Sequence, residues 1–190
     1  NNKDLGFLTV KGQCLFHERK YDEAIKIFEN ILQIDSKNLS ALNSLARTHN
    51  EKNENGKAEE YYLKALKIDG SSFYLLNNIA GFYRENSSYD KAIDYYKQAL
   101  SVNPNNAYIY NNLAKIYFDL NNHEKAMENS FKALKMKMND GDIQKTISFI
   151  YLKDHDFENG WSYYDGRLDI EDFKEKNNFI KKLNKKLYRS

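Results

Sequence analysis

The sequence predicts an all-α solenoid of five 34-residue helix-turn-helix units followed by one further helix. Ala24, Ala58, Ala92 and Ala126 recur at intervals of 34 residues, and Gly160 continues the register without insertion or deletion. A second row, Gly12, Ala46, Ala80, Ala114 and Ser148, keeps the same step, and all its members are small. A fixed period of this length means that one supersecondary unit is stacked on copies of itself, each covering an apolar face its neighbour cannot bury alone. The array is expected over residues 1–170, with units at about 5–38, 39–72, 73–106, 107–140 and 141–170.

Each unit carries two apolar stripes at helical spacing. In the first, Leu8, Gly12 and Leu15 precede Ala24, Phe28 and Ile31; in the second, Leu42, Leu45 and Ala46 precede Ala58, Tyr62 and Ala65. The third repeats the scheme with Leu76, Ile79, Ala80 and Tyr83, then Ala92, Tyr96 and Ala99. In the fourth, Tyr110, Leu113, Ala114 and Tyr117 fall at i, i+3, i+4 and i+7, one face of an amphipathic helix. A break at Asn121-Asn122 follows, since a short amide bonds backbone locally and tolerates non-helical angles. Ala126, Ser130, Ala133 and Leu134 then form the second stripe. Ala114 and Ala126 are expected where two antiparallel helices approach closely, because a larger side chain there would hold the axes apart. Polar turns such as Asp35-Ser36-Lys37-Asn38 and Asn103-Pro104-Asn105-Asn106 separate the units, with the only proline placed just past a helix end. Beyond the array, Phe173, Ile180, Leu183 and Leu187 predict an amphipathic capping helix over 171–188 with a basic tail.

Composition narrows the function classes. Net charge is +2, yet residues 171–190 hold seven basic against three acidic side chains, a balance of +4 that leaves −2 for residues 1–170. Nucleic-acid binding calls for a sustained basic stripe along the array, which the repeats do not supply. No apolar run approaches the roughly 18 residues of a membrane span, so no membrane partner is expected. Residues Asn1 to Asp4 carry neither an initiating Met nor a secretory leader, and the start reads as the boundary of an excised fragment. The single cysteine, Cys14, excludes an internal disulfide; it lies on an apolar helix face and is expected as a small buried core residue in a reducing, cytoplasmic setting. His17, His49, His123 and His155 are scattered near the ends of first helices without ligand spacing, so no metal is assigned. Without a glycine-rich phosphate loop or a plausible nucleophile set, neither a cofactor nor catalysis within this chain is expected.

The repeated pattern resembles the tetratricopeptide repeat family. It is carried by Tyr110-Leu113-Ala114-Tyr117 with Ala126 and Ala133, and by Leu76-Ile79-Ala80-Tyr83 with Ala92, Tyr96, Ala99 and Pro104. Lys11, Ser130 and Met138 depart from it, and Lys11 suggests a capping-like first repeat. The resemblance implies a right-handed superhelix whose first helices line a groove for an extended peptide or partner helix. Groove positions translate to Asn43 and Arg47; to Tyr74, Asn77, Asn78 and Arg84; and to Tyr108, Asn111, Asn112 and Lys115. Asn78 and Asn112 look like the asparagine ladder of the O-linked N-acetylglucosamine transferase repeats, which would bond a peptide backbone without reading its side chains. The carboxylate clamp of chaperone-binding relatives is disfavoured, because Thr9, Gln13 and Asn43 occupy key clamp positions. Residues 157–167 resemble the Gly-Trp-x-x-Tyr-Glu-Trp-Arg signature that closes many bacterial arrays before a glycosyltransferase-type domain, through Gly160, Trp161, Tyr164 and Arg167. The expected function is therefore a non-enzymatic scaffold binding a protein or peptide. The alternatives are the targeting arm of a larger enzyme and weak self-association through Tyr-rich faces.

Overall fold

The computed structural model describes residues 2–165, and side chains over 5–164. All ten of its elements are α-helices: α1 (Asn2–His17), α2 (Tyr21–Ile34), α3 (Leu39–Glu51), α4 (Asn55–Ile68), α5 (Phe73–Glu85), α6 (Tyr89–Val102), α7 (Ala107–Asp119), α8 (His123–Met136), α9 (Gly141–Lys153) and α10 (Phe157–Asp165). The helix and tail expected over 171–190, and Arg167 of the closing signature, lie outside the described residues.

The helices form two compact units, α1 to α6 and α7 to α10. In the first, α1 pairs with α2, α3 with α4 and α5 with α6, while α2 packs on α3 and α4 on α5. The second pairs α7 with α8 and α9 with α10, with α8 against α9. In both, each helix hairpin hands its apolar face to the next.

The close approaches read from the alanine rows are present. Ala24, Ala58, Ala92 and Ala126 are all 0% exposed. Gly12 and Gly160 mark close crossings: a Cβ on Gly12 would stand 2.5 Å from the Phe28 ring, and one on Gly160 would stand 2.6 Å from Leu152. The turn inside every hairpin is also the same. Arg19, Asn53, Ser87, Asn121 and His155, again 34 residues apart, adopt φ near +60°. At each one the following N–H reaches back to the helix, as Glu54 does to the His49 carbonyl and Asn122 to that of Tyr117. This left-handed closure satisfies carbonyls that a helix end leaves open. Asparagine caps start the next helices: Asn38 accepts from the Ala41 N–H, Asn106 from Ile109 and Asn122 from Lys125.

Cys14 departs from expectation, being free and exposed. A first helix in this fold buries two faces, one against its own partner and one against the second helix of the repeat before. Thr48, Phe82 and Ile150 hold the register of Cys14 in later repeats and are buried. Among the described residues no helix precedes α1, so Cys14 faces outward with Phe7 and Val10, which are 70% and 58% exposed. The native thiol is expected to react with Ellman's reagent at essentially its rate in denaturant; strong protection of the folded protein would return it to the core.

Candidate functional site

In the first unit the predicted groove residues lie on α3 and α5. Asn78 donates through Nδ2 to Asn43 Oδ1 at 2.9 Å. Asn78 of the expected ladder is thus joined to the groove candidate Asn43 across adjacent repeats, in a bond that uses neither the Asn78 side-chain carbonyl nor the Asn43 amide nitrogen. Beside this pair a cleft of about 160 Å³ is walled by Leu39, Ser40, Asn43, Ser72, Tyr74 and Leu75. Tyr74 stands 78% exposed at its edge. One turn along α3, the exposed Arg47 lies over the Phe16 ring, 4.9 Å from its centroid. Asn77 and Arg84 are half-buried on α5. The two repeats are also tied at their turns: Asn50 donates to Glu85 Oε2 at 2.8 Å, and Asn55 bonds Asn86.

Two neighbouring networks serve the fold. The Tyr83 hydroxyl donates to Glu59 Oε1 at 2.6 Å, and Lys91 Nζ reaches the same oxygen at 3.1 Å. These bonds hold the Glu59 carboxyl below its ordinary range, Tyr83 contributing most. His49, only 4% exposed, pairs through Nδ1 with Glu54 at 2.8 Å and stacks on Tyr61. Lys57, His49 and Lys52 around Glu54 bring its carboxyl down to about 2. His49 is therefore enclosed within α3 rather than presented to a groove, and His123 opens α8, where it bonds Asp154. Among the described residues no cluster of three or more His, Cys, Asp or Glu could hold a metal ion.

In the second unit Tyr108 is 52% exposed, and Asn112 and Lys115 are half-buried. Asn111 corrects the groove expectation: it is 1% exposed, so it offers no surface to a partner. Its Nδ2 donates to Asp142 Oδ2 at 2.7 Å, its Oδ1 finds no partner, and Lys115 Nζ meets the same Asp142 oxygen at 2.7 Å. Asp142 escaped the sequence reading, although it stands in the register of Tyr74 and Tyr108 at steps of 34. Trp161, read as a cover for the end of the core, is 40% exposed and meets Tyr164 edge-on.

Amides, tyrosines and cations carried on first helices are groups able to hydrogen-bond and pack. No helix among the described residues is long and apolar enough to cross a membrane. No curated protein matches the chain. Among solved structures the chain is similar to PilF of Pseudomonas aeruginosa, with TM-score 0.79 at 22% identity over 87% of this chain and 76% of that one. It is also similar to PilW, described as a widely conserved type IV pilus biogenesis factor, with TM-score 0.78 at 19% identity over 90% and 80%. MamA gives 0.72 at 21% identity over 93% and 96%. At such identities the likeness establishes the fold. Tetratricopeptide repeat models match residues 8–71 and 107–140, and a third, described as TPR repeat, matches 82–121. These matches together span more than half of the sequence and fall on the helix hairpins described above, and the chain belongs to the tetratricopeptide repeat family.

Proposed function

We propose that the chain is a protein-interaction scaffold that takes an extended segment of a partner protein along the first helices of its repeats. The observation that carries this reading is the Asn43–Asn78 pair, flanked by the exposed Tyr74 and Arg47 on one face of the first unit. The pair leaves one acceptor and one donor a short reach apart, the complement of a peptide's alternating N–H and C=O groups. Tyr74 supplies a rigid apolar wall with a polar tip. Each such bond contributes about 0.5–1.5 kcal/mol net, so a few of them with ring contact, after ordering costs, correspond to affinity on the order of micromolar. Asn112, Lys115 and Tyr108 extend the reading to the second unit, while Asn111 drops out of it.

The test is capture from lysate of the source cell by the intact chain and by an Asn43→Ala/Asn78→Ala variant. A partner lost with the variant, at unchanged helicity and melting temperature, is the expected result. Equal retention by both proteins excludes this face as the binding surface.

A second reading, the targeting arm of a larger enzyme such as a glycosyltransferase, draws support from the close crossing at Gly160 and the exposed Trp161 in α10. The coding sequence downstream of Ser190 decides it: an immediate stop codon removes the idea.

A further inference from the structure

One hairpin lacks the rings that close the others. Phe28, Tyr62 and Tyr96 stand at steps of 34 on α2, α4 and α6 and are buried, and Ser130 takes that register on α8, also buried. One residue earlier the same helix loses a second ring. His49 stacks on Tyr61 at 5.4 Å, Tyr83 on Tyr95 at 5.5 Å and Tyr151 on Tyr163 at 5.8 Å, each joining a first helix to its own second helix. In the α7–α8 hairpin Tyr117 holds the first of these positions and Asn129 the second. The Asn129 amide bonds the Lys125 carbonyl of its own helix at 2.8 Å. Ala114, Ala126, Ser130 and Ala133 are the fully enclosed residues here, and such small side chains offer little apolar surface to remove from water.

The polar atoms that stand in this unit are also unanswered. The Ser130 hydroxyl is enclosed without a hydrogen-bond partner, as are Asn111 Oδ1 on α7 and the Ser148 hydroxyl on α9. Glycine or alanine holds the register of Ser148 in the four earlier repeats. Among the described residues, only His49 Nε2 is so placed in the first unit. A buried polar atom without a partner gives up its hydration and gains nothing in return. The next hairpin cannot stay behind when α7 and α8 part, because α9 packs on both of them and Phe131 of α8 meets Tyr163 of α10 edge-on.

We propose that α7 to α10 open and reclose as one block while α1 to α6 remain folded. A solenoid permits this because each hairpin is held only by its neighbours, so cooperativity breaks where a hairpin is weakest. The block carries Tyr108, Asn112 and Lys115 on α7. On the scaffold reading above, on which this consequence rests, a partner seated on those residues binds the closed form alone and draws the equilibrium toward it. Partner binding to the second unit is thereby regulated by folding, whereas the Asn43–Asn78 face of the first unit stands ready.

Hydrogen exchange of the intact, isotope-labelled chain, followed amide by amide in rising urea below the main transition, tests the opening. The slowest amides of α7, α8, α9 and α10 should converge on one exchange rate, at least about tenfold faster than the slowest of α3 to α6, and quicken together with urea. Ser130→Ala/Ser148→Ala keeps the shapes and removes both orphaned hydroxyls. It should slow exchange of the block at least about thirtyfold, of which the better helix propensity of alanine supplies about fivefold, and leave α3 to α6 unchanged. Equal protection of the two units in the parent, separate rates for the α7–α8 and α9–α10 hairpins, or slowing no greater than propensity supplies overturns the proposal. The parent comparison needs no variant and no partner. Its failure leaves the scaffold reading standing, while equal capture by the Asn43→Ala/Asn78→Ala variant excludes that binding face and leaves the opening untouched.

Discussion

Truncating Phe28 to alanine is expected to lower the stability of the first unit by about 3–5 kcal/mol, the usual cost of removing a fully enclosed aromatic ring. Phe28 is 0% exposed and belongs to the cluster of Ala24, Ile31, Ala41 and Leu45, so its loss opens the seam between α2 and α3 as well as that within the α1–α2 hairpin. The same ring sets the response at Gly12. In the parent, Gly12→Ala places a methyl 2.5, 2.8 and 3.0 Å from three Phe28 ring atoms. An enclosed ring cannot step aside, so overpacking of about 1–3 kcal/mol opposes the gain of about 1 kcal/mol in helix propensity. In the Phe28→Ala background the methyl enters vacated space and only the propensity gain remains. The effect of Gly12→Ala should therefore change from unfavourable or neutral to favourable. A repeat array does not unfold as one cooperative block, so hydrogen exchange of α1, α2 and α3 is the appropriate readout. Additive effects in the double variant would disprove contact as the reason for the glycine.

The features legible in the sequence are those fixed by sterics within one repeat. Alanine at 24, 58, 92 and 126 announces a helix crossing because nothing larger fits, and the structure buries all four completely. The hairpin turn was legible only where its residue type conforms. Asn121 signals a left-handed closure, and Asn53 does so equally, but Arg19, Ser87 and His155 adopt the same φ because the returning backbone bonds require it. Side-chain preference is a poor guide where the backbone is over-determined. Cys14 and Asn111 went astray for a common reason. A helical wheel shows which residues share a face but not which neighbouring repeat covers that face. Cys14 lies uncovered because no described helix stands before α1, whereas Asn111 is covered and drawn to Asp142, a residue from the next repeat. The Asn43–Asn78 bond is likewise a contact between repeats, so the register could nominate both residues and yet not reveal their pairing.

Alkaline pH should expose the energetic role of the tyrosines between the helices. Tyr96 is 1% exposed, and burial pushes its hydroxyl up to about 12, with Arg84 pulling slightly the other way. Burial also raises Tyr62, and burial together with the hydrogen bond to Glu59 raises Tyr83. A phenol whose folded value exceeds its unfolded value near 10 holds its proton more tightly in the native state. Its stabilisation is complete below pH 10 and drains away as pH rises toward the folded value, because the unfolded chain ionises first. For Tyr96 the interval from 10 to about 12 corresponds to roughly 3 kcal/mol. Lysines paired with carboxylates lose their attraction over the same range, so total alkaline destabilisation alone assigns nothing. Tyr96→Phe isolates the one group: it keeps the ring in the core and removes the ionisable proton. Its urea midpoint should fall less steeply than the parent's between pH 10 and 12, the two curves diverging by an amount equivalent to about 3 kcal/mol. Parallel curves would mean that the Tyr96 hydroxyl reaches solvent and ionises in place, and the seam around α6 would then be looser than its burial indicates.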